Sequence, residues 1–301
     1  MNQLEIRELS KRLKSKFFEN YDTSKLTWFR SGGKANFYCI VNDEFELKII
    51  LKNLNKIPFY ILGAGSNILI REGGYKGLII KLGKGFNQIN IQNGFIHVGS
   101  AILDSNLSKF AYLNSLSNLE FFSGIPGTIG GAIKMNAGCY GYETKNFLEN
   151  ISIMTNDGDI KILHKKETSL SYRKSSIKDD EIVLSAVFKT KHKDKNKIKL
   201  LIDEIKNSRE KTQPLRKKTS GSTFKNPKGF FAAKLIEDSG CKGLSVGDAV
   251  VSQKHANFFI NQGNASATDI ENLGNIVKEK VFNKFNIILD WEVKIIGDYS
   301  V

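Results

Sequence analysis

The sequence predicts an α+β protein in two parts, a long strand-rich part followed by a smaller one in which helices dominate. Three observations carry this prediction. Short apolar runs rich in β-branched and aromatic residues recur from about residue 35 to 190, separated by glycine, asparagine and serine, the pattern of strands joined by turns. Beyond about residue 195 the texture changes to longer charged stretches with apolar residues at helical spacing. The chain has 301 residues, 41% of them hydrophobic, which is enough for two domains or for one with a large insertion.

The elements follow in order. Leu4, Leu9, Leu13 and Phe17 recur near helical spacing and predict an amphipathic helix at the N-terminus. After "WFRSGG" the runs "ANFYCIV", "PFYILG", "NILI", "GLIIKL" and "FIHVGS" read as strands, and residues 103–116 as a helix crossing between strands. "ISIMT" and "DIKIL" alternate on either side of Asn156-Asp157-Gly158, a hairpin signal. "EIVLSAVFKT" closes this part, so the domains are placed at 1–194 and 195–301. Residues 195–212 read as a charged helix stopped before Pro214, and "GFFAAKLIEDSG" as a helix ended by Gly240. "HANFFIN" (255–261) reads as a strand. Thr268-x-x-Glu271 is a capping-box pattern opening the helix "ATDIENLGNIVKEKVFNKF", and "IILDWEVKII" is the last strand.

Composition excludes several classes. Cys39, Cys139 and Cys241 lie far apart without a Cys-x-x-Cys, so neither a disulfide framework nor a zinc cluster is expected. The four histidines, at 97, 164, 192 and 255, have no metal-ligand spacing, and His255 reads as structural. The N-terminus is charged from its fifth residue, and no apolar run approaches a membrane span. A soluble, cytoplasmic monomer is expected. The 45 basic and 31 acidic residues give +14, which invites a nucleic-acid reading. Only seven of the basic residues are arginine, and the lysines are spread along the chain, whereas base and phosphate readout leans on arginine. No nucleic-acid partner is therefore expected, while the charge would draw in anionic small molecules.

Two glycine clusters stand out. In "YILGAGSNILI" a strand runs into Gly63-Ala64-Gly65-Ser66-Asn67, where bare turns can aim backbone N–H groups at an anion and Ser66 and Asn67 add donors. It lacks the Rossmann fingerprint, and the chain contains no P-loop. Alone, it reads equally as a tight turn. In "FFSGIPGTIGGAIKMNAGCYG" (121–141) Pro126 gives a rigid turn, Thr128 supplies donors, and Gly130-Gly131 precede a short helix. Two such segments leaving strand-rich surroundings read as two walls of one elongated site, of a size for a dinucleotide.

"WFRSGG", "LGAGSN", "GIPGTIGGAIKMNAGCYG", "SYRKS", "GSTFKNP", "VSQKHANFFIN" and "EVKIIG" occur here in the order and spacing of one family. From about residue 27 to 297 the chain resembles the FAD-containing UDP-N-acetylenolpyruvoylglucosamine reductases, also called UDP-N-acetylmuramate dehydrogenases. The "YETKN" continuation after the glycine run resembles their shorter type. The resemblance implies a two-lobed FAD-binding domain of the vanillyl-alcohol-oxidase type and a smaller α+β substrate-binding domain. It also implies FAD as cofactor, NADPH as reductant, and UDP-N-acetylglucosamine enolpyruvate as substrate.

The resemblance assigns roles to individual residues as well. It makes Gly63, Ala64, Gly65, Ser66, Asn67, Gly124, Pro126, Gly127, Thr128, Gly130, Gly131, Asn136, Ala137 and Gly138 cofactor-binding. Arg173 would hold the substrate carboxylate beside the flavin, Ser222 would be the proton donor, and Glu292 would reach the enolpyruvyl group. Lys225 and Asn226 would contact the substrate. Many members carry proline where this chain has Trp291. Read without the resemblance, Arg173 is a surface arginine, "TSGSTFKNP" a hydroxyl-rich loop, and Glu292 an exposed carboxylate on a strand that faces away from Trp291 and Val293. Two other readings stay open on the sequence, a flavin oxidase of the same superfamily acting on a hydroxylated small molecule, and a basic nucleic-acid-binding protein.

Overall fold

The hydrophobic residues gather into three clusters, and these define the architecture. A computed structural model describes residues 3–54 and 57–300, and of residues 3 and 4 the backbone alone. The chain divides into two compact units, each assembled from separated stretches: Met1–Glu19, Phe37–Ala64 and Gly77–Asn207 in the first, and Asn20–Asn36, Gly65–Lys76 and Ser208–Val301 in the second. The expected cut at 194/195 falls inside the first unit. The change of texture there marks the start of the helix Lys195–Thr212, not the edge of a compact unit.

The first unit holds two of the clusters. One lies on a five-stranded sheet ordered Ile160–His164, Leu148–Met154, Ile182–Lys189, Phe95–Gly99, Ile89–Gln92, antiparallel throughout. The expected hairpin is present: Met154 pairs with Ile160, and Gly158 takes the positive φ of the turn. Ile151 and Ile153 point into the core, and Leu107, Ala111, Ile129 and Ile133 of the helices Asp104–Leu113 and Ile129–Lys134 pack with them. The second cluster belongs to a four-stranded sheet ordered Lys16–Asp22, Lys34–Val41, Tyr75–Leu82, Phe59–Ile61, whose last pair is parallel. Leu47, Ile50 and Leu51 of the helix Glu44–Asn53 cover it.

Several elements differ from expectation for identifiable reasons. The first helix ends at Arg12 and Phe17 lies in a strand, because the Glu46 carboxylate accepts the N–H groups of Lys14 (2.6 Å) and Ser15 (2.8 Å) and turns the chain. Leu4, the first residue of that expected pattern, has its side chain outside the described ones. Gly130 and Gly131 lie within the first turn of the helix Ile129–Lys134 and do not precede it. Only Phe259–Asn261 of "HANFFIN" is a strand, since the Ser252 hydroxyl accepts from Lys254 and His255 and folds the preceding residues into a turn. The Ala267–Phe285 helix is capped by Ser266 and Asp269, not by Thr268 and Glu271, whose side chains are engaged by Glu72 and Arg71.

The third cluster is the core of the second unit. Here the helices Ala232–Asp238 and Ala267–Phe285 pack with an antiparallel sheet of Ser245–Val246, Ala249–Val251 and Phe259–Asn261. The last strand is only Lys294–Ile296, parallel to Ile68–Ile70. The separated stretches are bound into the unit by polar contacts. Arg71 makes a bidentate pair with Glu271 at 2.8 Å and lies over the Tyr299 ring. Glu72 caps the N-terminus of the Ala267–Phe285 helix through Ala267 and Thr268, and Asn261 donates to the Phe29 carbonyl.

Trp291 has a complement in this core. A Cβ on Gly274 would stand 2.1 Å from the Trp291 ring, which itself packs on Phe224 at 4.9 Å between centroids. Alanine at 274 gains roughly 1 kcal/mol of helix propensity, but it forces the ring off its place. Gly274→Ala is therefore expected to lower stability by about 1–3 kcal/mol. Adding Trp291→Ala should make the pair non-additive, as read from denaturant midpoints; additive effects would remove the clash as the cause.

Candidate functional site

In the first unit the two glycine-rich segments meet. Gly63 faces Thr128 so closely that a Cβ on it would lie 2.6 Å from the threonine hydroxyl. Residues 100–104 run antiparallel to 127–130: the N–H groups of Ile129 and Gly130 donate to Ile102 and Ser100, Asp104 N–H donates to Gly127 O, and Leu103 bridges Thr128. Two first-turn N–H groups of the short helix are thereby occupied. What remains open is the exposed backbone at Gly131, where a Cβ would meet only the Thr128 hydroxyl, at 3.6 Å. Among the described residues, the N–H groups of Gly63, Ala64, Gly65 and Ser66 donate to no backbone carbonyl. Gly65 itself is bare because the Leu26 carbonyl lies where its Cβ would go, and its φ is +69°.

Asn136, Ala137 and Gly138 adjoin the arginine of the "SYRKS" segment. Asn136 is buried, donates to Ser171 O (2.9 Å) and to Glu143 (3.1 Å), and accepts from Lys145 N–H (3.0 Å). Ser175 donates to Lys134 O, and Arg173 Nη2 donates to Gly138 O at 3.2 Å. Ser171 and Lys174 exchange backbone hydrogen bonds around a tight turn that holds Arg173 at φ +53°. The guanidinium is half-buried and lies over the Tyr172 ring. Asn136 thus touches the turn of Arg173 through the Ser171 carbonyl that precedes it. Gly124 is covered by Cys139, Ile205 and Tyr140, and Ala137 is buried, its carbonyl accepting from Thr144.

In the second unit Ser222, Glu292 and Asn67 come together through the main chain. Ser222 bridges Phe258, and the next two residues are held by Asn257. Its carbonyl accepts from Thr223 N–H, its Oδ1 accepts from Phe224 N–H (2.9 Å), and its Nδ2 donates to Phe224 O (2.8 Å). Glu292 N–H donates to Thr223 O at 2.9 Å, and Lys225 N–H to Asp290 O. Asn67 donates to Glu292 O at 3.0 Å and accepts from Lys294 N–H. Glu292 precedes the last strand and is half-buried, so it is not the exposed strand carboxylate that the alternation predicted. Asn226 turns its Oδ1 to Ala232 N–H and caps the Ala232–Asp238 helix. His255 is edge-on to Phe258, its Nδ1 buried without a partner in the described structure, and burial lowers its pKa.

The motifs did not single out Asn257 or Tyr140. The signal for Asn257 is a lone amide in the apolar run "ANFFI", where a buried amide must find partners. No group of three or more potential metal ligands occurs among the described residues.

Asp104 stands behind the Gly127 turn, wholly buried, with neither carboxylate oxygen hydrogen-bonded within the described structure. Burial pushes its pKa well above the ordinary carboxylate value. The native state therefore holds this proton more tightly than the unfolded chain, whose aspartates titrate near about 3.9. The stability it lends is complete below that pH and is lost as pH rises through the folded value. Asp104→Asn should match the parent protein near pH 4 and exceed it increasingly toward pH 8 in urea midpoints. A gap that does not change with pH would mean that Asp104 is not held neutral.

With this geometry, comparison with known proteins is direct. Residues 35–164 match the family model "FAD binding domain", and residues 213–296 match "UDP-N-acetylenolpyruvoylglucosamine reductase, C-terminal domain". The chain is 41% identical over 288 residues to UDP-N-acetylenolpyruvoylglucosamine reductase of Rickettsia akari (strain Hartford), covering 95% of this chain and 98% of that one. It is 42% identical over 290 residues to the enzyme of Rickettsia bellii (strain RML369-C), covering 96% of each. Its fold matches the crystal structure of UDP-N-acetylenolpyruvylglucosamine reductase from Thermus caldophilus with a TM-score of 0.83 at 33% identity, over 94% of this chain and 98% of that one. The chain belongs to the UDP-N-acetylenolpyruvoylglucosamine reductase family.

Proposed function

We propose that this protein is an NADPH-dependent, FAD-containing reductase that converts UDP-N-acetylglucosamine enolpyruvate to UDP-N-acetylmuramate in peptidoglycan precursor synthesis. The observation that carries the reading is the hydrogen bond from Glu292 N–H to Thr223 O, which sets Ser222 and Glu292 on adjoining backbone in a chain of this family. Residues 1–194 are assigned to the cofactor and 195–301 to the substrate, in keeping with the two family models matched. The shorter type of the family, a monomeric state, a cytoplasmic location and the absence of a nucleic-acid partner belong to the same proposal. Among the described residues no helix is long and apolar enough to cross a membrane.

The residues present fit a dinucleotide cofactor. Backbone is bare and exposed at Gly131 beside the Thr128 hydroxyl, and the N–H groups from Gly63 to Ser66 point to no backbone carbonyl of the described structure; such N–H groups and hydroxyls suit phosphate oxygens. Gly63, Ala64, Gly65, Ser66 and Asn67 would hold FAD with Gly124, Pro126, Gly127, Thr128, Gly130, Gly131, Ala137 and Gly138, and Asn136 would fix the backbone around them. Held there, FAD would supply hydride-transfer chemistry between NADPH and the vinyl carbon of the substrate.

The chain's own residues do the rest. Arg173 offers a planar, permanently charged fork to the enolpyruvyl carboxylate and, with Glu292, steadies the charge that develops as the double bond is reduced. Stabilisation placed where charge appears is the usual source of much of the rate gain. Ser222 donates its proton to C2, which completes the addition of H⁻ and H⁺ across the double bond. Lys225 meets the anionic substrate, and Asn226 shapes that end of the loop through the helix it caps.

The FAD-loaded protein should lose its flavin absorbance on anaerobic addition of NADPH and recover it on addition of UDP-N-acetylglucosamine enolpyruvate; bands that never return would contradict the substrate assignment. In Ser222→Ala the loss should keep its normal rate while the recovery slows by about 10²–10⁴-fold. Recovery at the parental rate would remove Ser222 as the acid.

A further inference from the structure

A tyrosine occupies a turn position that disfavours it. Gly138–Cys139 and Tyr142–Glu143 pair antiparallel, Cys139 with Tyr142 and Gly138 with Glu143, and Tyr140-Gly141 form the connecting turn. Both turn residues have positive φ, +52° and +83°, the sign pattern of a type I′ turn, whose first central position favours asparagine, aspartate or glycine. Of the eleven left-handed non-glycine positions among the described residues, five are asparagine, three arginine and two serine, and Tyr140 is the one that carries an aromatic ring. Strain of this kind is retained where the side chain has a task.

The ring is not core packing. Tyr140 is 42% exposed. Its edge lies on the bare face of Gly124, 3.4 Å from where a Cβ would stand. The ribbon that carries it is fixed at its other end, where Gly138 O accepts from Arg173 and Glu143 accepts from Asn136. The ring therefore stands on the glycine-rich turn, two residues from the carbonyl that Arg173 holds.

We propose that Tyr140 is a specificity-determining residue of the reductase, its ring packing flat against the planar enolpyruvyl group whose carboxylate Arg173 takes. This rests on the functional reading above. A conjugated enolpyruvyl unit offers a flat π-face to an aromatic ring. Reduction makes its two vinyl carbons tetrahedral and removes that face, so the ring favours substrate over product and helps the product leave.

Tyr140→Asn removes the ring and supplies the residue that the turn prefers, which separates the side chain from the backbone. In the FAD-loaded protein, binding of UDP-N-acetylglucosamine enolpyruvate and of UDP-N-acetylmuramate can be followed through the flavin absorbance change, beside the thermal midpoint. The expected result is an equal or higher midpoint and a Kd for the enolpyruvate raised by roughly two- to tenfold, the worth of one aromatic contact. The Kd for the muramate should change less, and Tyr140→Phe should keep the parental value. An enolpyruvate Kd that does not move, or both Kd values rising together with a lowered midpoint, would overturn the proposal. A parental protein that holds FAD but binds neither sugar nucleotide would instead overturn the functional reading, and the role of the tyrosine with it.

Discussion

The backbone that carries Ser222 and Glu292 in the second unit depends on a single buried amide. Asn257 closes a two-way clasp on the Phe224 peptide and, through its own carbonyl, on Thr223. Thr223 in turn accepts from Glu292 N–H, and the Asn67 side chain holds the Glu292 carbonyl from beyond. Serine and glutamate side chains have rotamer freedom, so their usefulness to a reaction depends on fixed backbone beneath them. Here the backbone is fixed by hydrogen bonds in an apolar setting, where Phe224 is wholly buried against Phe259 and Trp291. A clasp of this kind is costly to break, because each buried polar atom left without a partner costs about 1–3 kcal/mol.

The first unit solves the same problem with glycine and asparagine. Its antiparallel sheet and two helices leave residues 127–130 lying against residues 100–104, while Thr128 crowds Gly63 and the side chains of Cys139 and Ile205 crowd Gly124 too closely for a Cβ at either. Some of the bare backbone in this region therefore serves the fold alone, while Gly131 stays bare and open. Asn136 then joins the end of the glycine-rich segment to the loop of Arg173. The arginine is held in a left-handed conformation by its neighbours' hydrogen bonds, and so its guanidinium is presented by the loop and not by a strand.

The sequence made some of this legible and hid the rest for physical reasons. Strong periodicity located the Leu148–Met154 hairpin strand and the Lys195–Thr212 helix, because each buries one regular face. The glycine-rich runs pointed to close backbone approach, and the structure brings Gly63 to Thr128. The shortening of the last two expected strands was not legible. "HANFFIN" is an apolar run and "IILDWEVKII" alternates, so both read as strands along their length. The Ser252 hydroxyl, however, folds the start of the first into a turn, and Asn257 and Trp291 engage Phe224, a partner more than thirty positions from either along the chain. The pairing of Gly274 with Trp291 was hidden for the same reason: each residue is ordinary until the other is placed beside it. The discontinuous units depend on Arg71 and Glu72 reaching the Ala267–Phe285 helix, contacts that no local pattern encodes.

The central claim is that Asn257 holds the backbone from which Ser222 and Glu292 act. The most direct test is the two half-reactions of Asn257→Ala, loaded with FAD, followed separately by stopped-flow absorbance. Loss of flavin absorbance with NADPH should stay within about twofold of the parent, and recovery with UDP-N-acetylglucosamine enolpyruvate should slow by about ten- to a hundredfold, the scale of a small misplacement of reacting groups. Half-reactions that both stay at the parental rate, or that slow equally, would contradict it.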